Sequence, residues 1–235
     1  MSDAGFSPDP WQAALLRSTD PRVLLLCSRQ VGKSQTTSVL ALHTALTKPG
    51  STVVVVAPVE EQANELLRKV TAAYHAIGSP LGTVREAVTR LELGNGSRVL
   101  ALPGKESRMR SYTATLLICD EAARIPDDVV NAASPTLAVA KGRFVALSTA
   151  FAKSGWFYQQ WTDPEHECLR LSITAFDCPR IPKAFLEAER RKLGQRWFEM
   201  EYCNIFGEAV AQVFSTDDIQ AAMDTDAKPL FRGGS

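Results

Sequence analysis

Four short runs of Val, Leu and Ile, at residues 22–27, 52–57, 115–119 and 143–147, constrain this chain more than any other feature. Each is too short for a helix, and none alternates apolar with polar residues as a half-exposed strand would. Strands covered on both faces belong to a largely parallel sheet with helices packed on either side. The segments between the runs can supply those helices. After "APVEEQ", residues Ala63, Leu66, Leu67, Val70, Ala73, Tyr74 and Ile77 recur at three- and four-residue steps and make one apolar face. "AVTRLELGNGSRVLAL" breaks this rhythm: two β-rich runs flank Asn95-Gly96, a dipeptide that accepts positive φ in a tight turn, and predict an antiparallel hairpin at the sheet edge.

With 235 residues and 45% hydrophobic content, the chain has material for one large α/β domain and a small appendage, which argues against a disordered or fibrous protein. Residues 1–175 read as the core. From 176 to 212 a Pro-punctuated entry leads into helical spacing of Phe185, Leu186, Leu193, Trp197 and Phe198, which predicts a small helical subdomain. Residues 213–235 are polar, end in Gly-Gly-Ser, and read as a linker or frayed tail. Lys+Arg and Asp+Glu both number 26, so there is no global basic field and any nucleic-acid contact must come from a local patch. Arg190, Arg191, Lys192 and Arg196 of "ERRKLGQR" offer one, but Glu187 and Glu189 stand at helical distance and suit a solvated face equally well. The hairpin loop and "PGKESRMR" are alternatives. Cys27, Cys119, Cys168, Cys178 and Cys203 lack metal-site spacing, and His43, His75 and His166 stand alone, so neither zinc nor a disulfide framework is indicated. With no signal sequence and no apolar run of about 20 residues, a soluble, cytoplasmic chain is expected.

The first core run leads directly into "CSRQVGKS". The full phosphate-loop pattern is G-x-x-x-x-G-K-[ST], and here Cys27 stands where the first glycine would be. A strand precedes the loop and a helix-compatible segment follows it, so the N–H groups of residues 28–34 can converge on an anion at a helix N-terminus. Lys33 can then neutralise β- and γ-phosphate charge while Ser34 ligates magnesium. "TLLICDEAA" supplies a partner: Asp120 belongs near the metal, and Glu121 can orient and activate an attacking water. An acidic pair also suits a helix N-cap, but two such motifs on core strands favour a nucleotide hydrolase. Ser148 and Thr149 end a further strand, where hydroxyls could sense the γ-phosphate; Ser-Thr is also common at plain strand exits.

Taken together, "DPWQ", "SRQVGKS", "APVEEQA", "RMRSYTATLLICDEA", "LSTAFAKSGWFY" and "FEMEYCNIFGE" resemble the ATPase domain of the large terminase subunit of tailed double-stranded DNA bacteriophages, over nearly the whole chain. The resemblance implies a P-loop NTPase of the ASCE type, RecA-like, with a mainly parallel central sheet flanked by helices and a small C-terminal helical lid subdomain. It implies ATP and Mg2+ as cofactors, with an ATP site formed by Gln12, which would read adenine, and by Ser28, Arg29, Gln30, Val31, Gly32, Lys33 and Ser34. Ser34 and Asp120 would hold the metal, Glu121, Lys33 and Arg29 would act on the phosphates, and Ser148 and Thr149 would couple hydrolysis to movement. Arg110 matches an arginine finger that reaches a neighbouring subunit's nucleotide, with Arg108 as its competitor. The implied partners are double-stranded DNA, the portal protein and procapsid, the small terminase subunit and further copies in a pentameric ring, in host cytoplasm and at the portal vertex.

The sequence departs from the family pattern at Ser111, where a glycine is usual, and at Ala150, where a proline is common. It also ends where the family's nuclease domain would be approached, so no nuclease site is assigned. Two rivals share the nucleotide motifs: a helicase-like translocase, and a nucleotide-binding scaffold without turnover.

Overall fold

The computed structural model describes residues 7–104 and 112–208. Its elements run in the order α1 (Pro10–Arg17), β1 (Arg22–Cys27), α2 (Lys33–Thr47), β2 (Thr52–Ala57), α3 (Glu60–Ala76), β3 (Thr83–Ala87), β4 (Arg90–Leu93), β5 (Arg98–Pro103) and β6 (Leu116–Asp120). They continue with α4 (Asp127–Ala138), β7 (Arg143–Ser148), α5 (Gly155–Thr162), β8 (Leu169–Ile173), α6 (Lys183–Leu193) and α7 (Gln195–Tyr202).

Eight strands form one mixed sheet in the order β3-β4-β5-β2-β6-β7-β1-β8. From β5 to β8 every pairing is parallel, whereas β3, β4 and β5 pair antiparallel. The four apolar runs are four adjacent interior strands, β2, β6, β7 and β1. Alternate residues of each pack on opposite faces, so both faces must be covered. Val23, Leu25 and Cys27 of β1 join the cluster under α1, α2 and α3, while Leu24 and Leu26 join the one under α4 and α5. Ala63, Leu66, Leu67, Val70 and Tyr74 of α3 are buried as their spacing predicts.

The predicted hairpin is β4–β5, with positive φ at Gly96. Two edge strands escape the sequence reading. β3 is exposed along its whole length, and β8, outside β1, buries only Ile173, so neither shows the apolar run that marks the centre of the sheet. After β8, helices α6 and α7 gather Leu186, Phe198 and Tyr202 around Ala175 in a small cluster of their own. Trp197, expected on their apolar face, is instead exposed. Among the described residues, no helix is long and apolar enough to cross a membrane.

Candidate active site

β1, β6 and β7 lie side by side and parallel, so their C-terminal ends open on the same edge of the sheet, which is where ligands bind in open α/β sheets. From β1 the chain turns through Ser28–Val31 into α2. Gln30 has φ 61° and Gly32, the N-cap of α2, has φ 94°, so the backbone is left-handed at two positions within three residues. Such a turn aims successive N–H groups into a concave nest beside the positive end of the helix. Gly32 is required here by its φ, which is costly for any residue with a Cβ; that Cβ would also stand 2.8 Å from Gln12 Nε2, at the far end of a side chain.

Lys33 and Ser34 begin α2 and face the end of β6. Lys33 Nζ lies 3.1 Å from Glu121 Oε1, with both side chains largely buried. The Ser34 hydroxyl donates to Asp120 Oδ2 at 3.4 Å, and the Glu121 N–H donates to Asp120 Oδ1 at 3.0 Å. Glu121 itself is left-handed, with φ 51°. A glutamate held in this sparsely populated region costs of order 1–2 kcal/mol, as is common where a functional side chain is aimed. Burial pushes the Asp120 carboxyl up to about 6, with the Glu121 charge adding to the rise and Lys33 opposing it. The same desolvation pushes the Cys27 thiol up to about 12, so the residue replacing the usual first glycine is an inert packing group.

The raised Asp120 pKa carries a stability consequence. The fold binds this proton more tightly than the unfolded chain does, so the group's contribution to stability is largest below its ordinary value of 3.8, declines as pH rises through about 6, and stays unfavourable above. Asp120→Asn removes the charge, while its amide oxygen can still accept the Glu121 N–H and its NH2 can donate to the Ser34 hydroxyl. Without nucleotide it is expected to be more stable than the parent at pH 7.5, by up to about 3 kcal/mol, with the difference vanishing near pH 4. Denaturant midpoints of the two proteins across that range check this; a parent more stable at pH 7.5 would refute it.

Ser148 and Thr149 are buried at the end of β7. Ser148 Oγ accepts the N–H of Ala123, two residues beyond Glu121, at 3.2 Å. The segment after Glu121 is further tied to the one after Thr149, because Trp156 donates its backbone N–H to Asp127 Oδ1 at 3.0 Å and its indole N–H to the Ile125 carbonyl at 2.9 Å.

On the other side of the loop, Gln12 is buried and its Oε1 accepts the Asp9 N–H at 2.8 Å. Arg29 is exposed but held: its Nε donates to Glu201 Oε2 at 2.7 Å and its backbone N–H to the Glu201 carbonyl at 3.0 Å. Glu201 also stands 4.0 Å from Arg124, whose guanidinium lies 4.7 Å from the centre of the Phe151 ring. Thus α7, the loop after β1 and the segment after Glu121 meet at one buried glutamate. Arg180 donates to Asp9 Oδ1 at 2.7 Å and to the Val31 carbonyl at 3.2 Å, and the Asp9 bond pushes its own pKa up.

The structure therefore brings together Gln12, residues 28–34, Asp120, Glu121, Ser148 and Thr149. Arg108 and Arg110 lie outside the described residues. Sequence reasoning gave no role to Asp9, Arg124, Arg180 or Glu201, although "DPWQ" and "FEMEYCN" contain two of them.

A hydroxyl and a carboxylate oxygen within hydrogen-bond reach form the hard oxygen pair that suits magnesium, which completes its shell with phosphate and water. The left-handed loop, buried lysine and adjacent carboxylates are the groups a nucleoside triphosphate requires.

The same fold is found in known proteins. The ATPase domain of the large terminase of Thermus phage P74-26 superposes with a TM-score of 0.77 at 24% identity, covering 88% of this chain and 96% of that one. The large terminase of a thermophilic bacteriophage in complex with ADP gives 0.73 at 15% identity, over 85% of this chain and 54% of the other. At these identities the likeness is one of fold. In sequence, the large terminase subunit of Thermus phage G20c is 29% identical over 175 residues, 66% of this chain and 36% of that protein, so the chain spans about a third of the curated relative's length. The family model described as "Terminase large subunit, T4likevirus-type, N-terminal" matches residues 24–221, from within β1 past α7. The chain accordingly belongs to the T4likevirus-type family of large terminase subunits, in its N-terminal region.

Proposed function

We propose that this chain is a magnesium-dependent ATPase that powers the movement of double-stranded DNA into a phage procapsid. The observation that carries this reading is the contact of Lys33 with Glu121 beside the Ser34–Asp120 pair, on the edge of the sheet where the phosphate loop opens. A lysine paired with a carboxylate in this way is poised to exchange partners. An entering triphosphate offers Lys33 a stronger anion at its β- and γ-oxygens, and the released Glu121 is free to accept a proton from a water in line with the γ-phosphorus. Gln12 would bind the base, residues 28–34 the phosphates, and Arg29 the γ-phosphate after leaving Glu201. Magnesium, held by Ser34 and Asp120, would supply charge neutralisation on the phosphates. Ser148 and Thr149 would pass γ-phosphate loss into the loop before α5, and α6 with α7 would act as a lid answering through Glu201.

In this reading the partners are the portal protein, procapsid and small terminase subunit, with further copies in a pentameric ring at the portal vertex in host cytoplasm. Arg110 supplies the finger that completes a neighbour's site, and such fingers contribute roughly 10³–10⁵ in rate in other phosphate-loop enzymes. The test is ATP turnover with and without procapsids, portal and DNA. Stimulation by procapsids with DNA is expected; turnover accompanied by duplex unwinding without procapsids would favour a helicase-like translocase, and no turnover under any condition a scaffold. Arg110→Ala is expected to keep ATP binding and lose the stimulated rate. Mixing it with Glu121→Gln chains should partly restore that rate, because an intact site then meets an intact finger. No rescue in confirmed mixed assemblies would exclude action in trans.

A further inference from the structure

Glu201 is one carboxylate between two arginines, and it serves them unequally. Its side chain is only 9% exposed, so its charge depends on protein partners rather than on water. Oε2 accepts Arg29 Nε at 2.7 Å, while Oε1 stands 4.0 Å from Arg124 Nη2, beyond hydrogen-bond reach. Arg124 is nevertheless aimed. Its guanidinium lies over the Phe151 ring at 4.7 Å from the centre, a placement that leaves the N–H groups at the rim of a flat cation free to donate. Among the described residues its acidic partner is Glu201 alone. Arg29 is the opposite case: at 58% exposure it is bound to Glu201 but not enclosed. Both arginines are tied to the nucleotide edge of the sheet. Arg29 belongs to the loop after β1, and Arg124 ends the short turn Ala122–Arg124, where its N–H donates to the Glu121 carbonyl at 2.9 Å. The Phe151 carbonyl accepts the Gly207 N–H at 2.7 Å, so the ring under Arg124 is fastened to the chain just beyond α7.

We infer that Arg124 is the alternate partner of Glu201: when a γ-phosphate draws Arg29 away, the Glu201 carboxylate turns to Arg124 and stays paired. This rests on the nucleotide-site reading above, in which Arg29 binds the γ-phosphate. Without a second cation, the departure of Arg29 would strand a buried carboxylate, and ATP binding would be weakened by that cost. A diphosphate offers Arg29 nothing to leave for, so with ADP Glu201 keeps its first partner. Arg124 is a positioning residue, acting on ATP only through Glu201 and Arg29, and it sets how strongly the site distinguishes ATP from ADP. The exchange shifts the side-chain hold on α7 from the loop after β1 to the turn behind Glu121.

The experiment measures binding of a non-hydrolysable ATP analogue and of ADP, each with magnesium, to the full 235-residue chain by calorimetry. Arg124→Ala is expected to weaken the ATP analogue roughly tenfold to a hundredfold, the worth of one hydrogen bond to a charged group, and to leave ADP affinity unchanged. Glu201→Gln should act in the other direction, because a neutral amide holds Arg29 less firmly: affinity for the analogue rises and that for ADP does not. Combining the two substitutions should abolish the Arg124→Ala defect, since no charge is then stranded. A merely structural Arg124 would lower both affinities and would gain nothing from Glu201→Gln. Should Arg124→Ala fail to fold, seen as loss of ADP binding, Arg124→Gln, which keeps a flat polar group over Phe151 without the cation, decides in its place. An unchanged ratio of the two affinities in the deciding variant, or an equal defect in the Glu201→Gln background, would overturn the inference and leave the nucleotide site intact. A parent that binds neither nucleotide would instead overturn the nucleotide site itself.

Discussion

Lys33→Ala is expected to lower ATP turnover by on the order of 10²–10³-fold or more, the loss that follows removal of one well-placed charge-stabilising donor. The side chain sits at the first residue of α2, with Nζ 3.1 Å from Glu121 Oε1 and little contact with solvent. In so dry a position a compact cation is worth much more than in water. Arg29 faces away towards Glu201. The substitution therefore removes positive charge from the place where phosphate charge must accumulate, and it leaves Glu121 without its partner. ATP affinity should fall as well, because the lysine meets the ground-state triphosphate and not only the transition state. Phosphate release and nucleotide binding measured on the purified variant check both effects, and wild-type turnover would remove the phosphate-loop assignment.

Glu121→Gln should separate the two quantities that Lys33→Ala lowers together. The amide keeps the length of the side chain and an oxygen for Lys33 but cannot accept the proton of an attacking water. ATP binding is expected to stay within a few-fold of the parent while single-turnover hydrolysis falls roughly 10²–10⁴-fold, the usual contribution of a positioned general base. The left-handed backbone at this position is as accessible to glutamine as to glutamate, so no folding defect should confuse the result. Equal losses in binding and rate would make Glu121 structural.

What could be read in advance follows from how local the information is. The central strands were legible because a strand buried on both faces writes an unbroken apolar run, and Thr52–Ala57 is buried at every residue. β3 and β8 were not, because an edge strand needs no such run and its exposed residues resemble a loop. Gly32, Lys33, Ser34, Asp120 and Glu121 were legible as two compact clusters whose chemistry depends on neighbours in sequence. The meeting of Arg29 with Glu201 was not, since it joins residues 172 apart and depends on how α7 returns to the loop. Arg180 carried no signal either: only the folded chain lays it across Asp9 and the Val31 carbonyl. Even so, the quoted "DPWQ" already held Asp9 three residues before Gln12, the spacing at which a helix cap and the third helical residue exchange hydrogen bonds.

The position of β1 in the sheet has a consequence for biogenesis. It is the first strand to be synthesised, yet its neighbours are β7 and β8, with Val23 beside Val145 on one side and Leu169 on the other. A nascent chain thus carries an apolar strand with two open edges until β7 and β8 have been made, whereas β2 to β5 can begin to assemble earlier. Distant pairings of this kind are slow to form and prone to wrong partners while they wait. The nucleotide loop is anchored to that late-pairing strand, so a nascent chain can hold a triphosphate only once the last strand of the sheet has emerged.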